Sequence, residues 1–276
     1  MSLKSDKEFA FNPADFEAVR IKLKKLTGIN LADSKDSMVY SRLARRIRAL
    51  QLDSFVKYLA YLDQNTVEQE EFINALTTNL TSFFREKHHF VALEAHLKKL
   101  PKNKKVTIWC AASSTGEEPY SIAMTAINAY GRFDCPVKII ASDIDSKVLE
   151  AASLGVYRED QLKEVDISLK KQFFRRGKVA NAGKVRVVPA LRRLIDFKKL
   201  NLMDKTWQLE TDIDIVFCRN VMIYFDKATQ IEILKKIIVH MAHDSLYVAG
   251  HSENFSSISD LLLPLGKTIY KPRRPA

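Results

Sequence analysis

One feature constrains this chain more than any other: from residue 106 onward, short apolar runs alternate with helical ones. "VTIWCAA" from Val106 and "VKIIASD" from Val137 are rich in β-branched residues and are separated by the helical "PYSIAMTAINAY". Further on, "DIDIVFCRNV" precedes the helical "KATQIEILKKIIVHMA", and "SLYVAGH" follows. Strands that are apolar on both faces and joined by helices are satisfied by a parallel sheet covered with helices. The predicted class is α/β, and in such a sheet ligands gather beyond the carboxyl ends of the strands.

The first hundred residues follow a different pattern. "NPADFEAVRIKLKKLTG" opens with Asn12 as N-cap and Pro13 at the first helical position, and stops at Gly28. "DSMVYSRLARRIRALQ", "LDSFVKYLAYLDQN" (with Asp53 as its cap) and "TVEQEEFINALTTN" carry apolar residues at three-to-four spacing. A longer helix is predicted over residues 81–100. The expected division is a helical N-terminal domain (1–85), a connecting helix and linker (86–105) and a sheet domain (106–276). The segment "GKVRVVPALRRLIDFKKL" suggests a small antiparallel appendage inserted at about 157–200, with Gly177 and Gly183 bracketing a turn.

The 276 residues are 46% hydrophobic, enough for one large domain or two small ones. No apolar run approaches the ~20 residues that span a bilayer. The N-terminus lacks the charged-then-apolar order of a signal peptide. Cys110, Cys135 and Cys218 form no chelating pattern, so buried thiols in a reducing cytoplasm are expected, where the sequons at Asn79 and Asn254 carry no meaning. The net charge of +11 is concentrated. Residues 1–50 hold 11 basic and 6 acidic side chains, and residues 157–200 hold 13 and 5. Such windows suit an acidic partner, although a solvated basic face explains them equally well.

The stretch "TIWCAASSTGEEPYSIAM" (Thr107 to Met124) sits where a nucleotide phosphate would bind, yet it has one glycine, Gly116, followed by Glu117 and Glu118. Four segments reach the strand tips: Ser113–Glu118, Ser142–Asp145, Arg219–Tyr224 and Gly250–Asn254. They offer Glu117, Glu118, Asp143 and Asp145 against one arginine. A diphosphate would be repelled, whereas S-adenosylmethionine carries an ammonium, a sulfonium and a ribose diol but no phosphate. Asp143, 27 residues after Gly116, is placed to accept from ribose hydroxyls, and Asp145 is the better candidate to cap the next helix. Glu118 has a competing reading as half of a Thr115-x-x-Glu118 capping box. Pro119 opposes it by favouring the first helical position, which would leave Glu118 in the loop.

Five segments in order, "TTNLTSFFREKHHF", "SSTGEEPYSIAM", "ASDIDSKVLEAASLGVY", "FCRNVMIYFDKATQ" and "AGHSENF", resemble the CheR-type chemotaxis receptor methyltransferases. The resemblance implies a Rossmann-like S-adenosylmethionine-dependent domain, an all-helical N-terminal domain and an inserted β-subdomain. It also implies O-methylation of receptor glutamates in the cytoplasm, with S-adenosylhomocysteine as product. Carried onto matching positions, Asn79, Thr81, Arg85, Glu118, Asp143, Asn201, Leu202, Arg219 and Asn220 become cofactor contacts, and Arg85 and Tyr224 serve the transfer. Alanines stand in "WCAASS" where many relatives place a glycine. The implied partner is the acidic helical region of the receptors, met by Arg42, Arg45, Arg46 and Arg48, of which the first three are spaced to share a helix face. Through Gly177 and Gly183 the turn resembles the class that also binds a receptor C-terminal tether peptide. Membranes enter only through the receptors.

A glutamate is already ionised at neutral pH, so the reaction needs no general base. Two rivals are a nucleic-acid methyltransferase and a non-catalytic receptor-binding module. Against the first, "RNVMIYF" lacks the proline-bearing turn such enzymes carry after the fourth strand, so no nucleic-acid partner is expected. Against the second, Asn79, Arg85, Glu118, Asp143 and Tyr224 are all intact. No metal is expected, because adjacent helical positions such as His88 and His89 point about 100° apart.

Overall fold

The structure is a computed structural model describing residues 8–253, 255 and 260–273. Residues 1–7 and Asn254, with its sequon and the end of the Gly250–Asn254 segment, lie outside the described residues. By contacts the chain divides into Met1–Thr78 with Tyr224–Asp226, and Asn79–Ile223 with Lys227–Ala276.

The first unit contains α1 (Pro13–Thr27), α2 (Asp36–Ala49), α3 (Phe55–Gln64) and α4 (Thr66–Leu76). Asn12 accepts the N–H groups of Ala14 at 2.8 Å and Asp15 at 3.0 Å, Asp15 accepts the Asn12 N–H, and Gly28 closes α1 in a left-handed conformation. The cap of α3 is Ser54, which accepts the Lys57 N–H, rather than Asp53. The helix begins at Phe55, so the capping oxygen must come from residue 54. Asp53 instead pairs with Lys57 at 2.6 Å. Val19, Leu23, Val39, Leu43, Ile47, Tyr58, Leu62 and Phe72 are fully buried and form the core.

The second unit opens with an irregular segment, 79–87, and α5 (His88–Lys99). The predicted helix from residue 81 therefore starts seven residues later. Phe84 and Glu86 have left-handed backbones (φ 53° and 59°), which a right-handed helix excludes. The Phe84 N–H donates to Ser121 Oγ at 3.0 Å, so a tertiary partner replaces the helical one.

The chain then forms β1 (Val106–Cys110), α6 (Glu117–Tyr130), β2 (Val137–Asp143) and α7 (Ser146–Leu154). Next come β3 (Val156–Arg158), α8 (Ile167–Phe173), β4 (Phe174–Arg176), β5 (Lys184–Val187), α9 (Pro189–Arg192) and β6 (Ile195–Lys199). The unit ends with β7 (Ile213–Cys218), α10 (Lys227–His240), β8 (Met241–Ala249), β9 (Leu262–Gly266) and β10 (Ile269–Pro272). The main sheet has the order β6-β2-β1-β7-β8-β10-β9. Its first five strands are parallel, β10 pairs antiparallel with β8, and β9 pairs antiparallel with β10. Strand order reverses between β1 and β7, which makes their carboxyl ends the ligand crevice of a doubly wound sheet.

The appendage is a three-stranded antiparallel sheet, β3-β5-β4. Residues 195–199, which sequence alone assigns to it, instead pair in parallel with β2, from Ile139 opposite Ile195 to Asp143 opposite Lys199. Alternation along "LRRLIDFKKL" identifies a strand but not its sheet. The edge of β2 is the partner that covers Ile195 and Phe197, both packed on the main core.

Candidate active site

The crevice is built from the loops after β1, β2 and β7, the turn after β8, and the segment 79–87. After β1, Ser114 is left-handed (φ 47°) and its N–H donates to Asp143 Oδ2 at 2.8 Å. Gly116 follows at φ 97°, and a Cβ there would lie 2.8 Å from the Tyr157 hydroxyl and 2.9 Å from Ala152 Cβ. Only glycine fits, because both the dihedral and the packing exclude a side chain.

Helix α6 begins at Glu117, so Pro119 is its third residue rather than its first, and Glu118 lies in the first turn rather than the loop. Proline is tolerated there because the first four N–H groups of a helix have no intrahelical partner. The capping box is absent: no side chain caps α6, and Thr115 Oγ1 donates to Glu117 Oε2 at 2.7 Å. Burial pushes the Glu117 carboxyl above its ordinary range, opposed by that hydrogen bond.

Asp143 ends β2 and is 8% exposed. Burial pushes its pKa up to about 6, against the favourable N–H groups of Asp145 and Ser114. Asp145 caps α7 by accepting from Lys147 and Val148, and its other oxygen accepts from Asn79 Nδ2 at 2.8 Å. The Ser114 hydroxyl donates to the Asn79 carbonyl at 3.0 Å. Beside them, the Leu200 N–H donates to the Asp143 carbonyl at 2.9 Å, which brings Asn201 and Leu202 to the same strand tips. Asn201 is held by Met203 and Trp207, while Leu202 is buried.

Arg219, at the tip of β7, is the centre of the second half. Its guanidinium pairs with Glu118, lies 3.3 Å from Glu86, and donates to the Arg85 carbonyl at 2.6 Å. Burial alone would ease its deprotonation, but Glu118 and Glu86 outweigh that and hold the charge more firmly. Glu118 also accepts from Cys110 Sγ at 3.2 Å, and burial pushes that thiol well up. Asn220 is left-handed (φ 57°) and its amide faces Glu86 at 3.5 Å. Arg85 donates to its own loop at the Leu80 carbonyl, 3.0 Å away, and Thr81 is half-buried in that loop.

The structure thus gathers Asn79, Thr81, Arg85, Glu118, Asp143, Asn201, Leu202, Arg219 and Asn220 around one set of strand tips. Tyr224 belongs to the other unit: its carbonyl accepts from the Asn30 N–H at 2.8 Å, and Asp226 pairs with Lys24 at 3.0 Å. Two acids escaped the sequence reading. Glu86 was hidden in a predicted helix. Glu253 stands in the segment after β8 whose acids were not counted, and its position just past a strand end was the available signal.

Glu86, His88 and His89 place ligand atoms within 4.8 Å of one another, because the bend at Glu86 brings them together where a regular helix would not. Glu86 and the His89 Nε2 atom have other partners, while His89 Nδ1, 3.5 Å from Glu86, makes no hydrogen bond among the described residues. Glu86 accepts from Arg219 and the His251 N–H. Burial opposes its ionisation, yet the Arg219 charge and that N–H hold its carboxyl below the ordinary range. His89 Nε2 lies 3.0 Å from the Lys267 carbonyl, and burial with the Arg219 charge lowers the His89 pKa to about 4.

The charge pattern decides what fits. Glu118, Asp143 and Asp145 stand at the strand tips, Glu117 is buried against Thr115 and Gln161, and of the two arginines there Arg219 is already neutralised by two acids. The buried Asp143 carboxyl accepts from the Ser114 and Asp145 N–H groups, and the Ser113 hydroxyl is buried without a protein partner among the described residues. This charge balance disfavours a diphosphate and suits a cationic, phosphate-free adenosine derivative. Fold and site together define an S-adenosylmethionine-dependent methyltransferase.

Comparison with known proteins makes this specific: the chain belongs to the CheR methyltransferase family. The family's SAM binding domain matches residues 79–270 and its all-alpha domain matches residues 14–77. A chemotaxis protein methyltransferase 2 of Pseudomonas aeruginosa is 50% identical over 268 residues, covering 97% of this chain and 96% of its own. Chemotaxis protein methyltransferases of Salmonella typhimurium and Escherichia coli are each 44% identical over 270 residues, covering 97% of this chain and 93% and 94% of theirs. The enzyme uses S-adenosylmethionine for methylation in chemotaxis. Among the described residues no helix is long and apolar enough to cross a membrane.

A second feature lies in the appendage. A cavity of about 690 Å³ is lined by Lys170, Lys171, Arg175 and Arg176 together with Phe174 and Val185. Gly177 and Gly183 flank the loop between β4 and β5, joined through the Gly177 N–H to the Lys184 carbonyl at 2.8 Å.

Proposed function

We propose that the enzyme transfers the sulfonium methyl of S-adenosylmethionine to glutamate carboxylates of chemotaxis receptors in the cytoplasm. The observation that carries this reading is the arginine-neutralised, carboxylate-lined crevice at the β1–β7 reversal. Bound there, S-adenosylmethionine supplies an electrophilic methyl group and leaves as S-adenosylhomocysteine.

The protein's own contribution is alignment and exclusion of water, since the acceptor is already ionised. Asp143 accepts from the ribose hydroxyls, and Asn201 and Leu202 flank the adenine. Glu118, Asn79, Thr81 and Asn220 meet the remaining polar groups, while Arg219 holds Glu118 in place. Arg85 orients the acceptor carboxylate through its planar donors, and Tyr224 serves the transfer. An acidic receptor helix is the partner of the helical unit, and the basic cavity of the appendage receives a receptor tail peptide with acidic and aromatic side chains.

The deciding experiment is tritiated methyl transfer to acidic receptor fragments, with and without the receptor C-terminal tail. Label in DNA rather than protein would reverse the reading. Arg85→Ala is expected to lower turnover by at least about a hundredfold while circular dichroism stays unchanged. Near wild-type transfer by the folded variant would remove Arg85 from the mechanism. Asp143 adds a pH test. Ribose hydroxyls need its carboxylate form, so binding must expel a proton below pH 6. Cofactor affinity should fall about tenfold between pH 7 and pH 5 by calorimetry.

A further inference from the structure

Glu253 is 5% exposed, and among the described residues no arginine, lysine or histidine pairs with its carboxylate. Its partners are backbone N–H groups from two loops. Oε1 accepts from Val221 at 2.9 Å and Met222 at 2.8 Å, and Oε2 accepts from Gly250 at 2.5 Å. Burial pushes this carboxyl above the ordinary range, and the N–H groups oppose the shift. Three donors converging on one side chain require an acceptor with no hydrogens of its own, which among side chains means a carboxylate.

What these N–H groups belong to matters. Val221 and Met222 follow Arg219 and Asn220 directly and lead into the single turn Met222–Tyr224. Asn220 is held left-handed, a conformation with a steric cost for any residue but glycine. Gly250 packs against it so closely that a Cβ would collide with the Asn220 side chain and lie 2.8 Å from its backbone nitrogen. The His251 N–H, in the same turn, donates to Glu86 at 3.1 Å. The turn after β8 is thus clamped onto the loop after β7, with Glu253 as the clamp.

We propose that Glu253 is a positioning residue for methyl transfer. Its buried carboxylate gathers the N–H groups of Gly250, Val221 and Met222 and so fixes the strained backbone that presents Arg219 and Asn220. The proposal rests on the reading that these residues serve the cofactor.

The test uses the full chain and S-adenosylhomocysteine as probe. Glu253→Gln keeps the shape but turns an amide NH2 toward backbone donors. It should weaken S-adenosylhomocysteine binding by calorimetry about tenfold and lower kcat at least as much in the folded fraction. Glu253→Asp, which keeps the acceptor, should recover part of both. In the wild type, the amides of Gly250, Val221 and Met222 should exchange slowly with deuterium although they lie in loops. A folded Glu253→Gln enzyme with binding and kcat within about twofold of wild type would overturn the proposal. Fast exchange at those three wild-type amides would do so as well, even if the variants failed to fold. A wild-type protein that binds no S-adenosylhomocysteine would instead refute the underlying reading.

Discussion

The two basic windows look alike in sequence and have different fates in the structure. In α2, most of the arginine charge is used inside the helical unit. Arg42 donates to the Ala75 and Thr77 carbonyls at 3.0 and 2.7 Å, closing the end of α4. Arg46 grips the buried Glu68 through two nitrogens and Glu71 at 3.1 Å, and Tyr58 donates to the same Glu68. Arg48 pairs with Glu8, and Arg45 is exposed. In the appendage, Lys170 and Lys171 line an open cavity beside Phe174. Arg175 turns back onto the Lys171 and Phe174 carbonyls, and Arg176 pairs with Glu159 at 3.2 Å. In α2 the charge that faces acids becomes architecture, whereas in the appendage Lys170 and Lys171 are the cavity cations left to recognise a partner.

This contrast can be broken most directly at Arg46. Arg46→Ala leaves Glu68 buried with a single neutral partner, and urea denaturation should show a loss of about 3 kcal/mol. A loss below about 0.5 kcal/mol would mean that α2 holds its charge in reserve after all. A smaller effect is expected in the appendage. Lys170→Glu with Lys171→Glu should weaken an acidic, aromatic peptide by about tenfold or more in fluorescence anisotropy at low salt, with stability nearly unchanged. Unchanged affinity would exclude the cavity as the peptide site. The smallest effect belongs to Arg45→Ala. Stability should stay within about 0.5 kcal/mol, and transfer to receptor fragments should fall about twofold at low salt, a difference that disappears as salt screens exposed charge.

Legibility followed the range of the interactions. Asn12 and Gly28 as the ends of α1, Asp145 as the cap of α7, and the parallel strands were readable because a cap or an apolar run is settled by its neighbours. The helix predicted from residue 81 failed because the Phe84 N–H goes to Ser121, 37 positions away. The position of Glu253 past a strand end is legible locally, but its role is not, because its donors at Val221 and Met222 lie over thirty residues upstream. Asp53 lost its capping role at short range, through the exact start of α3.

By itself the sequence determined the alternation of strands and helices, the crowd of carboxylates at the strand tips and the two concentrations of basic charge, since these follow from local composition and periodicity. Only the tertiary structure decided which arginines are consumed by acids, that residues 195–199 join the main sheet, and that left-handed residues at 84, 86, 114 and 220 shape the crevice. Those outcomes depend on hydrogen bonds and burial between residues far apart in the chain, and no local pattern encodes them.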